Sequence, residues 1–380
     1  MKKVLLITNI PTPYRIPLFN ELHEQLRAAN VELMVVFSNE SYERRQFTVD
    51  KNDFKFPYEI LDGGTFTPGK DQEFTFFLYK GLWKKLRQLR PDHIIVSGFS
   101  PATLLVCLYK FFYRTPYSIW SGSILAAGRK NSFWRTISRK FLVGQASSFV
   151  AYGSKAKTYL EHLGAKSDKI SIAINTVDTR FFKEKTLEER KKLTGPSPFT
   201  FTCLGYLVPR KNMQRVLDAV AMLSQRRRDF RVDIIGDGES RKAMEEYVIS
   251  QQLYDIVHFH GYRQKAALPY LLAPSRVLLF QTDFDIWGLV LNECMSAGLC
   301  CMASPNAGAT TDLIVHKQTG LILDFDKPAM VAQAMEEAIE HPNSIEVIGK
   351  KAMEFIQENA NLHISARGFV DAIKLAGHDI

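Results

Sequence analysis

"RVLLFQTDFDIWGLVLNECMSAG", residues 276–298, reads as three pieces in succession. RVLLFQ is an apolar run of strand length, Thr282 to Ile286 a polar turn, and LVLNECMSAG after Gly288 a helix closed by Gly298. A strand feeding a helix through a turn is half of a βαβ unit, and the chain repeats it. KVLLITN, VELMVVFS, HIIVSG, YSIWSG, SFVAYG and KISIAIN alternate with amphipathic stretches such as RIPLFNELHEQLRAA and PATLLVCLYKFF. A second series, FTFTCLG, RVDIIGDG, IVHFHG, RVLLFQ, LCCMAS and GLILDF, opens near Thr200. Strands alternating with helix-length patterns predict parallel, doubly wound sheets. Two such series in 380 residues predict two Rossmann-like α/β domains facing a central cleft. The join falls in NTVDTRFFKEKTLEERKKLTGPSPF, residues 175–199. Residues 1–178 with a returning C-terminal helix over 361–380 make the first domain, and residues 179–360 the second.

Composition bounds the function. With 46% hydrophobic and 23% charged residues the chain is globular in type. The start, MKKVLLITNIPTPYR, carries the charge of a secretory leader, but its apolar run breaks at Pro11 and Pro13, which predicts a first strand. The longest apolar stretch, Pro101 to Tyr113, is interrupted by Lys110 and falls short of the roughly 20 residues a spanning helix needs. Five cysteines without a C-x-x-C suit buried thiols in a reducing cytoplasm. The net charge of +9 is lopsided: residues 1–185 hold 28 Lys/Arg against 16 Asp/Glu (+12), and residues 186–380 hold 21 against 24 (−3). No acidic residue lies between Asp92 and Glu161, so this half should meet a polyanion. GRKNSFWRTISRKFLVG, 128–144, interleaves aromatics with cations, as a segment lying peripherally on the inner face of the cell membrane would; a solvated basic face is the plainer reading. No nucleic-acid-binding module is readable, so nucleic acid is not an expected partner.

In the opening stretch, Asp283 and Asp285 have the D-x-D spacing that grips a divalent metal on a nucleotide-sugar, whereas Asp285 and Glu293 frame a metal-free pattern. Asp285 stands just before the helix, near the amides of Gly288, Leu289 and Val290, and Glu293 lies further along it. Those amides suit a phosphate or sugar oxygen, Asp285 sugar hydroxyls, and Glu293 a ribose diol. An N-cap aspartate and a surface glutamate are the plainer reading. In CLGYLVPRKNMQRVLDAV, 203–220, a strand ends at Gly205 and a turn presents Arg210 and Lys211 before the next helix, at the sheet edge where open α/β folds bind anions. VDIIGDGES, 232–240, has Gly-Asp-Gly but not the G-x-G-x-x-G of nicotinamide sites. His258 and His260 in VHFHGY lack a third ligand at metal spacing and read as packed histidines.

Taken together, G-x-x-x-P-R-K-N at 205–212, G-D-G at 236–238, H-G at 260–261, D-I-W-G-L-V-L-N-E-x-M-x-A-G-L at 285–299 and S-P-x-x-G-A-T-T-D at 304–312, followed by T-G-L-I-L, resemble the family-4 retaining glycosyltransferases of the GT-B fold. KISIAINTVDTRFF resembles that family's segment at the domain junction. The resemblance implies transfer of a sugar from a nucleotide-diphosphate sugar to an acceptor hydroxyl, with no cofactor and no metal. It makes Asp285 the contact to the transferred sugar, Glu293 that to the ribose, and Lys211, with Arg210, the charge on the diphosphate. Gly205, Gly236, Gly261, Tyr262, Trp287, Gly288, Leu289 and Val290 complete the donor side, and Gly308 with Asp312 match the family's following loop. Three departures stand out: an aspartate at 285 where relatives carry glutamate, Tyr206 where they carry arginine, and Ser121 or Gly122 at the place of an N-domain histidine. NIPTPYR replaces the usual glycine-rich first loop, which makes Tyr14 and Arg15, with Ser121, the acceptor-side candidates. A lipid-linked or polysaccharide acceptor in cell-surface glycan synthesis is expected. A nucleotide-sugar epimerase or phosphorylase on the same scaffold is the alternative.

Overall fold

The apolar runs of the first series form a seven-stranded parallel sheet. Its strands are β1 (Lys2–Thr8), β2 (Val31–Phe37), β3 (Tyr58–Ile60), β6 (His93–Ser97), β7 (Tyr117–Ser121), β8 (Ser148–Ala151) and β9 (Ile170–Ile172), in the order β3-β2-β1-β6-β7-β8-β9. A separate antiparallel pair, β4 (Thr65–Phe66) with β5 (Phe76–Phe77), stands beside it. The intervening helices are α1 (Arg15–Ala28), α2 (Leu82–Leu89), α3 (Pro101–Tyr113), α4 (Phe133–Gln145) and α5 (Ser154–His162). The computed structural model describes residues 1–41, 47–66, 75–125 and 133–380. It resolves into two units, Met1–Val177 with Leu362–Ile380, and Asp178–Asn361.

The second unit holds a six-stranded parallel sheet. Its strands are β10 (Phe199–Leu204), β11 (Phe230–Ile235), β12 (Val257–Gly261), β13 (Ser275–Phe280), β14 (Cys300–Ala303) and β15 (Leu321–Ile322), in the order β12-β11-β10-β13-β14-β15. Around it run α6 (Thr179–Arg190), α7 (Gln214–Ser224), α8 (Arg241–Ser250), α9 (Leu268–Leu272), α10 (Leu289–Ser296), α11 (Gly308–Leu313), α12 (Pro328–Glu340) and α13 (Pro342–Asn359). Because β10 connects to β11 on one side while β13 lies on its other side, the order reverses between β10 and β13. At such a reversal adjacent loops diverge and leave a crevice at the carboxyl ends of the strands, where open α/β sheets take ligands.

The last helix, α14 (Leu362–Leu375), belongs to the first unit. It packs on α1 and on β8 and β9, with Phe369 set 5.0 Å from the Trp120 ring and the Ser148 hydroxyl donating to the Ala372 carbonyl at 2.6 Å. A Cβ at Gly368 would lie 2.5 Å from the Ile172 carbonyl oxygen, so only glycine lets this helix seat so closely. Of the five thiols, Cys203, Cys294, Cys300 and Cys301 are buried, Cys107 is half-buried, and all are free. Among the described residues no helix is long and apolar enough to cross a membrane. Residues 128–132 of the basic segment lie outside the described residues; its remainder, 133–144, lies within α4.

Candidate active site

Three glycines far apart in sequence meet at the carboxyl edge of the second sheet. The Gly205 amide donates to the Ile235 carbonyl at 3.0 Å and the Gly236 amide to the Gly261 carbonyl at 2.9 Å, which joins the loops after β10, β11 and β12 into one ledge. Gly236 has φ +151°, and a Cβ there would lie 1.8 Å from the Gly205 carbonyl oxygen. A side chain at that position would push the loops apart. Half-buried Tyr262 follows the ledge.

At the reversal, the loops after β10 and β13 are zipped together. The Arg210 carbonyl accepts from the Asp283 amide at 2.9 Å, and the Arg210 guanidinium donates to the Phe284 carbonyl at 3.2 Å. Pro209–Lys211 forms a single 3-10 turn that ends at Asn212 in the left-handed region, and this turn points Lys211 inward. The Lys211 side chain is 10% exposed; its Nζ donates to Asp285 Oδ2 at 2.5 Å and lies 5.0 Å from the Phe280 ring centroid. Asp285 Oδ1 accepts the Trp287 amide at 3.2 Å. Burial lowers the Lys211 ammonium, an effect that the Asp285 carboxylate only partly offsets. Burial alone would raise Asp285, but the Lys211 charge and hydrogen bond, the Trp287 amide and Arg210 together hold it below the ordinary carboxylate range.

Asp283 faces other partners. Its carboxylate accepts from Asn212 at 3.2 Å and from Gln281 at 3.1 Å, and lies 3.5 Å from the Arg215 guanidinium. The two aspartates of the D-x-D spacing are therefore held apart by separate cation sets.

The chain enters α10 through Gly288, which is left-handed at φ +99° and passes over Phe280, where a Cβ would lie 2.7 Å from the ring. As the first amides of α10, those of Gly288, Leu289 and Val290 have no acceptor within the helix. The Trp287 indole is buried and its N–H is spent on Asn292 Oδ1 at 2.9 Å, so the side chain wedges the turn. Glu293 sits five residues along from Gly288, half-buried. Burial pushes its carboxyl up to about 7, against the pull of Lys265, and among the described residues no side-chain hydrogen bond holds it. Gly308, at the start of α11, donates its amide to the Asp285 carbonyl at 3.1 Å, and a Cβ there would meet the Ile286 carbonyl at 2.1 Å. Asp312 follows on α11, half-buried.

The acceptor-side candidates sit at the equivalent edge of the first unit and mostly face inward. Arg15 donates to the Thr8 hydroxyl at 2.9 Å and to the Tyr152 hydroxyl at 2.7 Å, with its guanidinium 4.6 Å from the Trp120 ring centroid. It therefore braces its own sheet. Ser121 is buried, its hydroxyl accepting from the Ser123 amide at 3.2 Å. Tyr14 immediately precedes α1, makes no side-chain cap to it, and is half-buried. His260 pairs with buried Asp233 at 2.8 Å, as does Arg231 at 2.8 Å, which accounts for the histidine by packing.

Two residues of the second unit escaped the sequence reading. Gln281, just past β13, is buried, and its Oε1 lacks a hydrogen-bond partner among the described residues. A polar residue closing the apolar run RVLLFQ at a carboxyl edge was the available signal. Lys265, the cation acting on Glu293, lies 3.7 Å from Asp178 and stands in another strand's loop, beyond what spacing can reveal.

Residues 184–355 match the family model described as glycosyl transferases group 1. The chain is 27% identical over 233 residues to a D-inositol 3-phosphate glycosyltransferase of Pseudarthrobacter chlorophenolicus, covering 57% of this chain and 53% of that protein. It is 24% identical over 192 residues to an uncharacterized glycosyltransferase, YqgM, of Bacillus subtilis, covering 50% and 51%. The chain thus spans about half the length of these curated relatives. Among solved structures, Anabaena Alr3699/HepE in complex with UDP superposes with a TM-score of 0.76 at 17% identity, covering 98% of this chain and 100% of that one. The fold is therefore GT-B, two Rossmann-like parallel-sheet units.

Proposed function

We propose that the protein is a nucleotide-sugar-dependent glycosyltransferase that retains anomeric configuration, with its donor at the carboxyl edge of the second unit. The carrying observation is the Lys211–Asp285 pair at 2.5 Å beside the start of α10, with Glu293 half-buried beyond it. The donor's diphosphate lies against Lys211, Arg210 and the first amides of α10; Asp285 receives hydroxyls of the transferred sugar and Glu293 the ribose diol. An incoming diphosphate draws on the same ammonium that Asp285 now holds, and it raises the affinity of Lys211 for its proton, so the cation stays charged when charge develops on the leaving group.

In the reaction the bond from the anomeric carbon to the phosphate oxygen breaks, its electrons going to the diphosphate, which Lys211 and the amides stabilise. The acceptor oxygen bonds to the same face of the anomeric carbon, and its proton passes to the departing phosphate oxygen, so no protein nucleophile is needed. Metal independence is part of the proposal: Asp283 is engaged by Arg215, Asn212 and Gln281 rather than aligned with Asp285. A glycan or lipid-linked hydroxyl is the acceptor, and the enzyme works on the cytoplasmic side.

The test is nucleoside diphosphate release from a panel of UDP-, GDP-, ADP- and dTDP-sugars with a chelator present, and the anomer of the product read by NMR. Turnover of one donor in chelator, with retained configuration, is expected. Activity that chelator abolishes and manganese restores, or an inverted product, overturns it.

A further inference from the structure

Two neighbouring helices of the first unit turn apolar side chains outward. On α3 the core takes Ala102, Val106 and Tyr109, while the opposite stripe, Leu104, Leu108, Phe111 and Phe112, is exposed, Phe111 by 82%. On α4 the core takes Leu142 and Val143, while Phe133, Trp134, Ile137 and Phe141 are exposed, Trp134 by 76%. Both helices cover the same face of the sheet, since their inward residues join one core. They run side by side: Arg139 lies 5.0 Å from the Phe99 ring centroid just before α3, and Lys110 bonds the Gln145 carbonyl at the end of α4. Their outer stripes therefore lie on one side of the unit and set eight large apolar side chains in water there, where a water-facing surface normally carries them singly.

Arg114, Arg135 and Lys140 are exposed on or beside these helices, and the acid-free span from Asp92 to Glu161 covers both. Apposing two copies of this face would bring cation against cation, and a merely solvated basic face has no use for outward phenylalanine and tryptophan. Aromatics that enter the interface between headgroups and chains, ringed by cations, match an anionic bilayer. We infer that the α3–α4 face docks the protein on an anionic lipid surface, which deepens the proposed function by making its acceptor a lipid-linked one; in that respect it rests on that reading.

The experiment is co-sedimentation of the full chain with phosphatidylcholine vesicles, with and without about one-third phosphatidylglycerol, at low and high salt. Binding to the anionic vesicles alone, weakened by salt, is expected. Phe111→Ser with Trp134→Ser should lower the bound fraction by about tenfold, and Arg114→Glu with Lys140→Glu should do likewise. Both double variants should keep the thermal shift that a nucleotide-sugar produces in the full chain. No binding to anionic vesicles, equal binding to both kinds, or a dimer in sedimentation velocity that the Phe111/Trp134 variant dissociates would each overturn the inference. Failure of the nucleotide-sugar reading is distinguishable, because it would appear as no thermal shift in any chain whether or not vesicles bind.

Discussion

The two parallel sheets have the same plan, but their carboxyl edges hold their charged groups differently. In the first unit the cation after β1, Arg15, folds back on Thr8, Tyr152 and Trp120, and the hydroxyl after β7, Ser121, closes a turn. In the second, Lys211 is buried against a single carboxylate, the Glu293 carboxyl is pushed up to about 7, and among the described residues Glu293 has no side-chain hydrogen bond and the buried Gln281 Oε1 no partner. A fold supplies the edge; a site arises where polar groups on it are left with capacity for a ligand.

Changes on each edge separate these roles. Lys211→Ala should have the largest effect, a loss of about 10²–10³-fold in turnover. It should also cost about 1–3 kcal/mol of stability, because half-buried Asp285 loses its charged hydrogen-bond donor and keeps only the Trp287 amide and the pull of Arg210; steady-state kinetics and denaturant unfolding report the two. Arg15→Met should lower stability by about 1–3 kcal/mol through two lost hydrogen bonds, while the affinity of the second unit for a nucleotide-sugar, measured by calorimetry, stays unchanged. A large loss of donor affinity in that variant would erase the contrast between the edges. Asp283→Asn should change turnover less than about threefold, since its carboxylate lies at the solvent side and surface ion pairs contribute little. A collapse of activity there would restore the D-x-D pairing.

The strand–turn–helix rhythm was legible because parallel sheets need apolar runs of strand length separated by amphipathic helices. β3 and the β4–β5 pair were not read, whereas β9 and β15, equally short, were, because they sit inside the longer apolar runs KISIAIN and GLILDF. The spacing of Gly205, Gly236, Gly261, Lys211, Asp285 and Glu293 located the loops that now lie side by side. Side-chain direction was beyond it. Trp287, which the resemblance set on the donor side, and Arg15, an acceptor-side candidate, both turn in, where burial of a large ring or a stacked guanidinium outweighs exposure. Gln281 and Lys265 depend on contacts between distant loops.

The central claim, a donor held at the second edge by a glutamate that must ionise, is tested most directly by nucleotide-sugar affinity against pH in wild type and Glu293→Gln. Burial raises the folded carboxyl from its ordinary 4.5 to about 7, so the stability tied to its protonated form is complete below about 4.5 and is lost as pH rises through 7. Ribose hydroxyls donate to the ionised form, so binding runs the other way. Between about pH 6 and pH 8 the wild-type affinity should rise by up to about tenfold relative to the glutamine variant. Parallel pH profiles for the two proteins would contradict the account.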